Sequence, residues 1–126
     1  MSAPKRIQRK RTKGWRMPEG AVYVGRPTVY GNPFRAEWRG WHWVVVDNNG
    51  VEYEPLNDRS RFSALEKAVV LFEDDLLVWL GGRIENEPGL REAIERLRGR
   101  DLVCWCSPDE PCHADSLLRL ANGGAS

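Results

Sequence analysis

The stretch that most constrains the fold runs from Asp101 to Leu118, DLVCWCSPDEPCHADSLL, and holds all three cysteines and one of the two histidines of the chain. The apolar run Leu102 to Cys106 predicts a short buried strand. Ser107 to Pro111, punctuated by Pro108 and Pro111, predicts a turn. A helix is expected to begin at Cys112 or His113, run through Leu117, Leu118 and Leu120, and stop at Asn122 and Gly123.

This order has chemical content. Side chains on a strand alternate faces, so Cys104 and Cys106 point one way and Trp105 the other. The turn brings Cys112 and His113 back to the same strand end. Three thiolates and an imidazole are a tetrahedral zinc set, which makes Cys104, Cys106, Cys112 and His113 candidate ligands for Zn2+. The partial positive charge of a helix N-terminus favours thiolate over thiol there. The spacing is C-x-C-x5-C-H rather than a paired C-x2-C knuckle, and the side chains of adjacent Cys112 and His113 diverge. Two other readings stand beside metal. Cys104 and Cys106 can be small buried hydrophobes, with His113 bonding locally. Alternatively, the strand-to-helix junction is where α/β folds place sites, and His113 with Asp115 is a candidate catalytic or ligand-binding pair.

Earlier in the chain, a probable strand at Ala21 to Val24 leads into Gly25-Arg26-Pro27, and the loop closes with Gly31-Asn32-Pro33-Phe34. Two glycines and two prolines make this loop stiff. Arg26 can grip a phosphate or carboxylate with its planar fork. Asn32 can read a base or amide edge. The competing reading is an Ω-loop that only covers the core.

The two elements together, VGRPTVYGNPF and LRGRDLVCWCSPDEPCHADSLLRLAN, resemble a domain-of-unknown-function family of bacterial and phage proteins, DUF4326-like, from about Ile7 to Asn122. Gly25, Arg26, Pro27, Gly31, Asn32, Pro33 and Phe34 match its first element. Cys104, Trp105, Cys106, Pro111, Cys112, His113, Ala114 and Asp115 match its second. Tyr30 stands where the family pattern leads one to expect tryptophan, and the insert Trp38 to Leu56 looks specific to this chain. The resemblance implies which residues matter and supplies no activity.

The net charge of +1 hides an asymmetry. Residues 1–16 contain seven of the 19 basic residues and no acid, so the rest of the chain sets 12 basic against 18 acidic residues. The expected organisation is a basic arm over 1–14, one α/β domain over 15–122 and a flexible tail over 123–126. Lys10 and Arg11 in the arm would be drawn to phosphate backbones, and Trp15 offers a stacking surface for an unpaired base. The bland alternative is a solvated tail folding back on the acidic body. No apolar run approaches the ~20 residues that span a bilayer, so no membrane partner is expected. The basic start lacks the apolar stretch of a secretory signal. Three clustered cysteines, an odd number, argue for a reducing cytoplasm, that of the host if the protein is phage-encoded.

Between these elements, alternating apolar residues on either side of Asn49-Gly50 predict a hairpin of Trp41 to Val46 and Val51 to Pro55. Trp38, Trp41 and Trp43 crowd its start, and His42 is expected at the surface. Ser63-Ala-Leu-Glu66 reads as a capping box that opens a long helix to about Leu80, ended by Gly81-Gly82. Leu65, Val69, Phe72, Leu76 and Trp79 or Leu80 are expected to face the sheet. A second helix is expected over Leu90 to Leu97. The fold class is therefore α/β (or α+β): a small single domain with a mixed sheet, a β-hairpin, a long central helix and the C-terminal strand–helix motif.

Two functional readings follow. In one, the Arg26–Asn32 loop and the Cys112–Asp115 helix start are the two walls of a pocket for a nucleotide or nucleic acid. In the other, a structural zinc stabilises a non-enzymatic protein that binds nucleic acid through its basic arm, or a host protein. The sequence assigns no reaction to either.

Overall fold

The structure is a computed structural model, and it describes residues 3–80 and 88–123. The chain forms a mixed α/β domain with two three-stranded sheets. In order the elements are β1 (Arg6–Gln8), β2 (Val22–Tyr23), β3 (Arg35–Trp38), β4 (Trp43–Val46), β5 (Glu52–Tyr53), α1 (Arg61–Leu80), α2 (Pro88–Glu95), β6 (Leu102–Cys104) and α3 (His113–Ala121).

The first sheet is parallel, in the order β1-β6-β2. Its middle strand is the Cys-bearing one. Leu102 lies opposite Arg6 on one side and Val22 on the other. A central parallel strand is covered on both faces, so a continuous apolar run suits it. Leu102, Val103 and Cys104 are all buried. The strand ends at Cys104, two residues sooner than expected, and Trp105 and Cys106 already bend away.

β1 comes from within the basic arm. The Lys5 backbone N–H donates to Asp101 Oδ1 at 2.9 Å, and Arg9 N–H donates to the Cys104 carbonyl at 2.6 Å. The Arg6 guanidinium turns inward instead of to solvent. It donates to the Ser107 and Pro108 carbonyls at 3.1 and 2.7 Å and meets Asp115 at 3.2 Å.

The second sheet is the predicted hairpin with an additional strand. Val46 lies opposite Glu52, and Gly50 takes the positive φ of 80° that the turn demands. The extra strand β3 pairs antiparallel with β4, Trp38 facing Trp43. Its sequence, Arg-Ala-Glu-Trp, carries too few apolar residues to be recognised as a strand alone. The mixed sheet expected from sequence is thus resolved into one parallel and one antiparallel sheet. His42 is buried, contrary to expectation: its ring lies tilted against Trp41 at a centroid distance of 3.8 Å, and its Nδ1 has no hydrogen-bond partner among the described residues.

The long helix α1 is the central element, packing on β3, β4 and α3. Its cap is Ser60, not Ser63. The Ser63 N–H donates to Ser60 Oγ at 3.1 Å, the bond of an N-cap residue with its third helical position. Ser63 Oγ instead accepts from the Asn57 and Asp58 N–H groups, which ties the preceding loop to the helix. Ala64, Ala68, Phe72 and Leu76, every fourth residue, lie in the core with Val24, Phe34, Val45, Leu102 and Leu117. Leu65 and Val69 are one position off that stripe and face the cavity described below. Leu102 and Leu117 are fully buried, and such side chains contribute about 1.5–3 kcal/mol each. α2 starts at Pro88, where its fixed φ suits a first helical turn. The expected Gly81-Gly82 stop signal lies outside the described residues, as does the tail past Gly123.

Candidate functional site

β2 and β6 are parallel neighbours, so the loops leaving them emerge on one edge of the sheet. From β2 comes the 25–34 loop, and from β6 the turn that leads into α3. Between them lies a cavity of about 450 Å³. Arg26 and Asn32 line one wall, Cys104, Cys106, Cys112 and His113 the other, and Leu65 and Val69 of α1 close the side. Arg35 and Arg61 also reach it, as does Trp105. The sequence-predicted loop and helix start therefore do share one cavity. Asp115 is not among its lining residues; its carboxylate pairs with Arg6 outside.

The loop is held by its own residues. Asn32 is buried, its Oδ1 accepts the Phe34 N–H at 2.9 Å, and its Nδ2 donates to the Ala68 carbonyl of α1 at 3.2 Å. Much of its hydrogen-bonding capacity is thus spent on fastening the loop to the helix. Tyr23 OH donates to the Arg26 carbonyl at 2.8 Å. A Cβ on Gly25 would fall 2.6 Å from Tyr23 Cζ, so a larger residue there would push the Tyr23 ring from this close approach. Arg26 follows directly, at the cavity mouth. Its pKa is lowered, first by burial and then by the neighbouring charge of Arg35. Among the described residues it has no carboxylate partner. The other two arginines are engaged: Arg35 with Glu37 at 3.6 Å, and Arg61 with Glu110.

On the facing wall the three cysteines converge. The Sγ atoms of Cys104, Cys106 and Cys112 all lie within 4.8 Å of one another, and Cys104 and Cys112 are 3.3 Å apart. A set of three sulfurs this close could hold a metal ion. The thiols share hydrogens unequally. The Cys106 pKa is pushed down, chiefly by hydrogen bonds from Cys104 and Cys112 and further by Arg6 and Arg61. That of Cys104 is pushed up, first by its bond to Cys106. A cysteine whose pKa is lowered by neighbouring sulfurs and two guanidiniums is in the electrostatic setting in which cysteine binds metal or reacts.

His113 sits at the first position of α3, buried, its ring edge-on to Phe72 at 5.1 Å. Its Nε2 lies 2.8 Å from the Val24 carbonyl. A carbonyl only accepts, so in the neutral ring Nε2 carries the hydrogen and Nδ1 is the acceptor. That Nδ1 lies 3.7 Å from Cys112 Sγ. It is adjacent to the cysteine group without being one of the mutually close atoms. The N-cap Cys112 makes no side-chain cap bond, so the first-turn N–H groups of α3 receive none from it.

The basic residues picked from the arm meet elsewhere. Arg9, Lys10, Arg11, Thr12, Trp15, Met17 and Trp105 line a second groove, of about 460 Å³. The Arg9 guanidinium lies 4.9 Å from the centre of the Tyr23 ring and 5.1 Å from that of Trp105, and Arg11 lies 4.8 Å from Trp105. Sequence reasoning missed Arg6, Arg35, Arg61 and Trp105 as site residues. Only Trp105, between two cysteines, carried a local signal.

A small α/β domain with a cysteine cluster and a shared loop–helix cavity is the class that fold and site define. The chain belongs to the family described as domain of unknown function (DUF4326), which matches residues 7–123. No curated protein and no solved structure matches it. Among the described residues, no helix is long and apolar enough to cross a membrane.

Proposed function

We propose that this domain binds a phosphate-bearing ligand of the nucleotide class in the cavity between the 25–34 loop and the start of α3. The observation that carries this reading is Arg26. It is an arginine without a carboxylate partner among the described residues, next to Arg35, facing a helix N-terminus that lacks a side-chain cap. A cation disfavoured by burial and by a like charge gains most from an incoming anion, and helix N-terminal N–H groups add donors. The cavity volume lies in the range of small-molecule sites, and Phe34, Leu65, Val69 and Trp105 give apolar walls on which a base can rest. Calorimetric titration with nucleoside monophosphates and with inorganic phosphate tests this. Binding is expected with wild type, weakened by Arg26→Ala by about 1.5–3 kcal/mol, the range for a charge-assisted hydrogen bond. If neither nucleotide nor phosphate binds, the reading fails.

The cysteine triad favours a second reading, compatible with the first: Cys104, Cys106 and Cys112 hold a zinc ion that fastens the end of β6 to the start of α3. Three thiolates leave one tetrahedral position, which a water, a ligand in the cavity or His113 Nδ1 can take. The histidine has the arrangement of a metal ligand's outer bond, its far nitrogen fixed by a backbone carbonyl. Metal analysis of untagged protein should give about one zinc per chain.

A further inference from the structure

The basic groove and the cysteine cavity are lined by one residue in common, Trp105. It is 41% exposed and stands between buried Cys104 and half-buried Cys106, with Arg9 and Arg11 against its ring. Tryptophan–guanidinium stacking holds both cations in place without neutralising them. Arg9, Lys10 and Arg11 have no carboxylate partner among the described residues. A preformed row of unpaired cations is what a phosphate backbone requires. At the far side of the groove Trp15 offers an aromatic face.

We infer that the ligand is a single-stranded nucleic acid, one nucleotide of which enters the cysteine cavity while its neighbouring phosphates run past Trp105 along Arg9, Lys10 and Arg11. The inference rests on the cavity reading above and names its ligand class. A single strand fits better than a duplex, because only an unpaired nucleotide can leave its stack at little cost to enter a cavity. It fits better than an acidic peptide, because the groove supplies tryptophan faces as well as charge, and bases stack on them.

The test is fluorescence anisotropy with a labelled oligothymidylate of about 12 nucleotides, a length within the span of single-strand sites. Thymidine monophosphate, the corresponding duplex and polyglutamate serve as competitors. The single strand is expected to bind at least ten-fold tighter than the monophosphate. The pair Arg9→Ala and Arg11→Ala should cost ten-fold or more in strand affinity and leave the monophosphate unchanged. The salt slope should fall by roughly 1.4, two contacts at about 0.7 each. Neither side chain is in the core, and the Arg9 backbone bond to Cys104 survives alanine. Lys10→Glu, at an exposed position, gives the same reading by charge reversal. Arg26→Ala should weaken both ligands. A strand that binds no tighter than the monophosphate overturns the inference and leaves the cavity reading standing. So does a duplex or polyglutamate that competes as well as the strand. Strand binding that ignores Arg26→Ala also overturns it, by taking the cavity out of the interaction. Failure of the monophosphate and of inorganic phosphate to bind removes the cavity reading, and the inference with it.

Discussion

The Arg6 guanidinium reaches the Asp115 carboxylate at 3.2 Å, joining the first strand to the first turn of the last helix across 109 residues of sequence. The two partners are unequal. The Arg6 side chain is 11% exposed and that of Asp115 57%. Arg6 also satisfies two backbone carbonyls of the 107–111 turn.

Arg6→Ala is therefore expected to destabilise the domain by about 2–3 kcal/mol, the scale of charged hydrogen bonds left unmade. Asp115→Asn should cost under about 1 kcal/mol, as for an exposed ion pair. The Asp115 side chain is more than half exposed, so water can take over the partners that a neutral amide would lose. Urea unfolding of both variants decides; equal losses would show that the ion pair, and not the turn carbonyls, is what Arg6 provides.

If Cys104, Cys106 and Cys112 hold zinc as proposed, Cys104→Ser, Cys106→Ser and Cys112→Ser are each expected to release it. They should also lose about 3–4 kcal/mol of stability when zinc is several-hundred-fold above its Kd, since binding free energy is available only to the folded state. Melting curves with and without chelator on wild type check this. No chelator response, with all three alanine variants near wild type, would leave the cysteines as inert core.

Asn32→Ala should cost about 2 kcal/mol, because the buried Phe34 N–H loses its acceptor and the Ala68 carbonyl a donor. Ligand affinity should fall with it, through the loosened loop. Thermal melting alongside phosphate titration separates this from a direct contact. A variant of normal stability that no longer binds would make Asn32 a ligand contact in its own right.

The hairpin carries an acid-sensitive bond set. At Asp47, burial works to raise the pKa but is outweighed by hydrogen bonds from the Val51 N–H, the Tyr53 hydroxyl and the Asn49 N–H, so the pKa falls below its ordinary 3.8. A lowered carboxyl pKa means the unfolded chain binds the proton more readily. Its stabilisation is present above about pH 4 and is lost as pH falls through the folded value. Asp47→Asn should flatten the acid limb of the stability profile below about pH 4 and leave its neutral plateau slope unchanged. Melting temperature against pH for both proteins measures it.

Much of this was readable from sequence where local chemistry decides. Asn49-Gly50 specifies its turn, the cysteine stretch specifies strand, turn and helix, and the loop and helix start share a cavity because both follow parallel strands. What escaped is what neighbours decide. Arg-Ala-Glu-Trp becomes β3 only because β4 lies beside it. Ser63 has the spacing of a cap, yet Ser60, three residues earlier, takes the role while Ser63 turns to the loop. Arg6 reads as one more charge in a basic run, and only the returning 107–111 turn makes it an internal clamp. His42 follows the hairpin alternation that suggests solvent, but Trp41 folds over it.

The place of β6 in the middle of the parallel sheet has a consequence for how the molecule is made. β1 and β2 are made before their shared neighbour and do not pair with each other; the strand that belongs between them arrives nearly a hundred residues after the first and carries Cys104. Such distant pairings close slowly. The nascent chain thus carries two unfinished strand edges until β6 is synthesised. The thiol cluster depends on the same late segment, since Cys104 lies on β6 and Cys106 and Cys112 follow it in the chain.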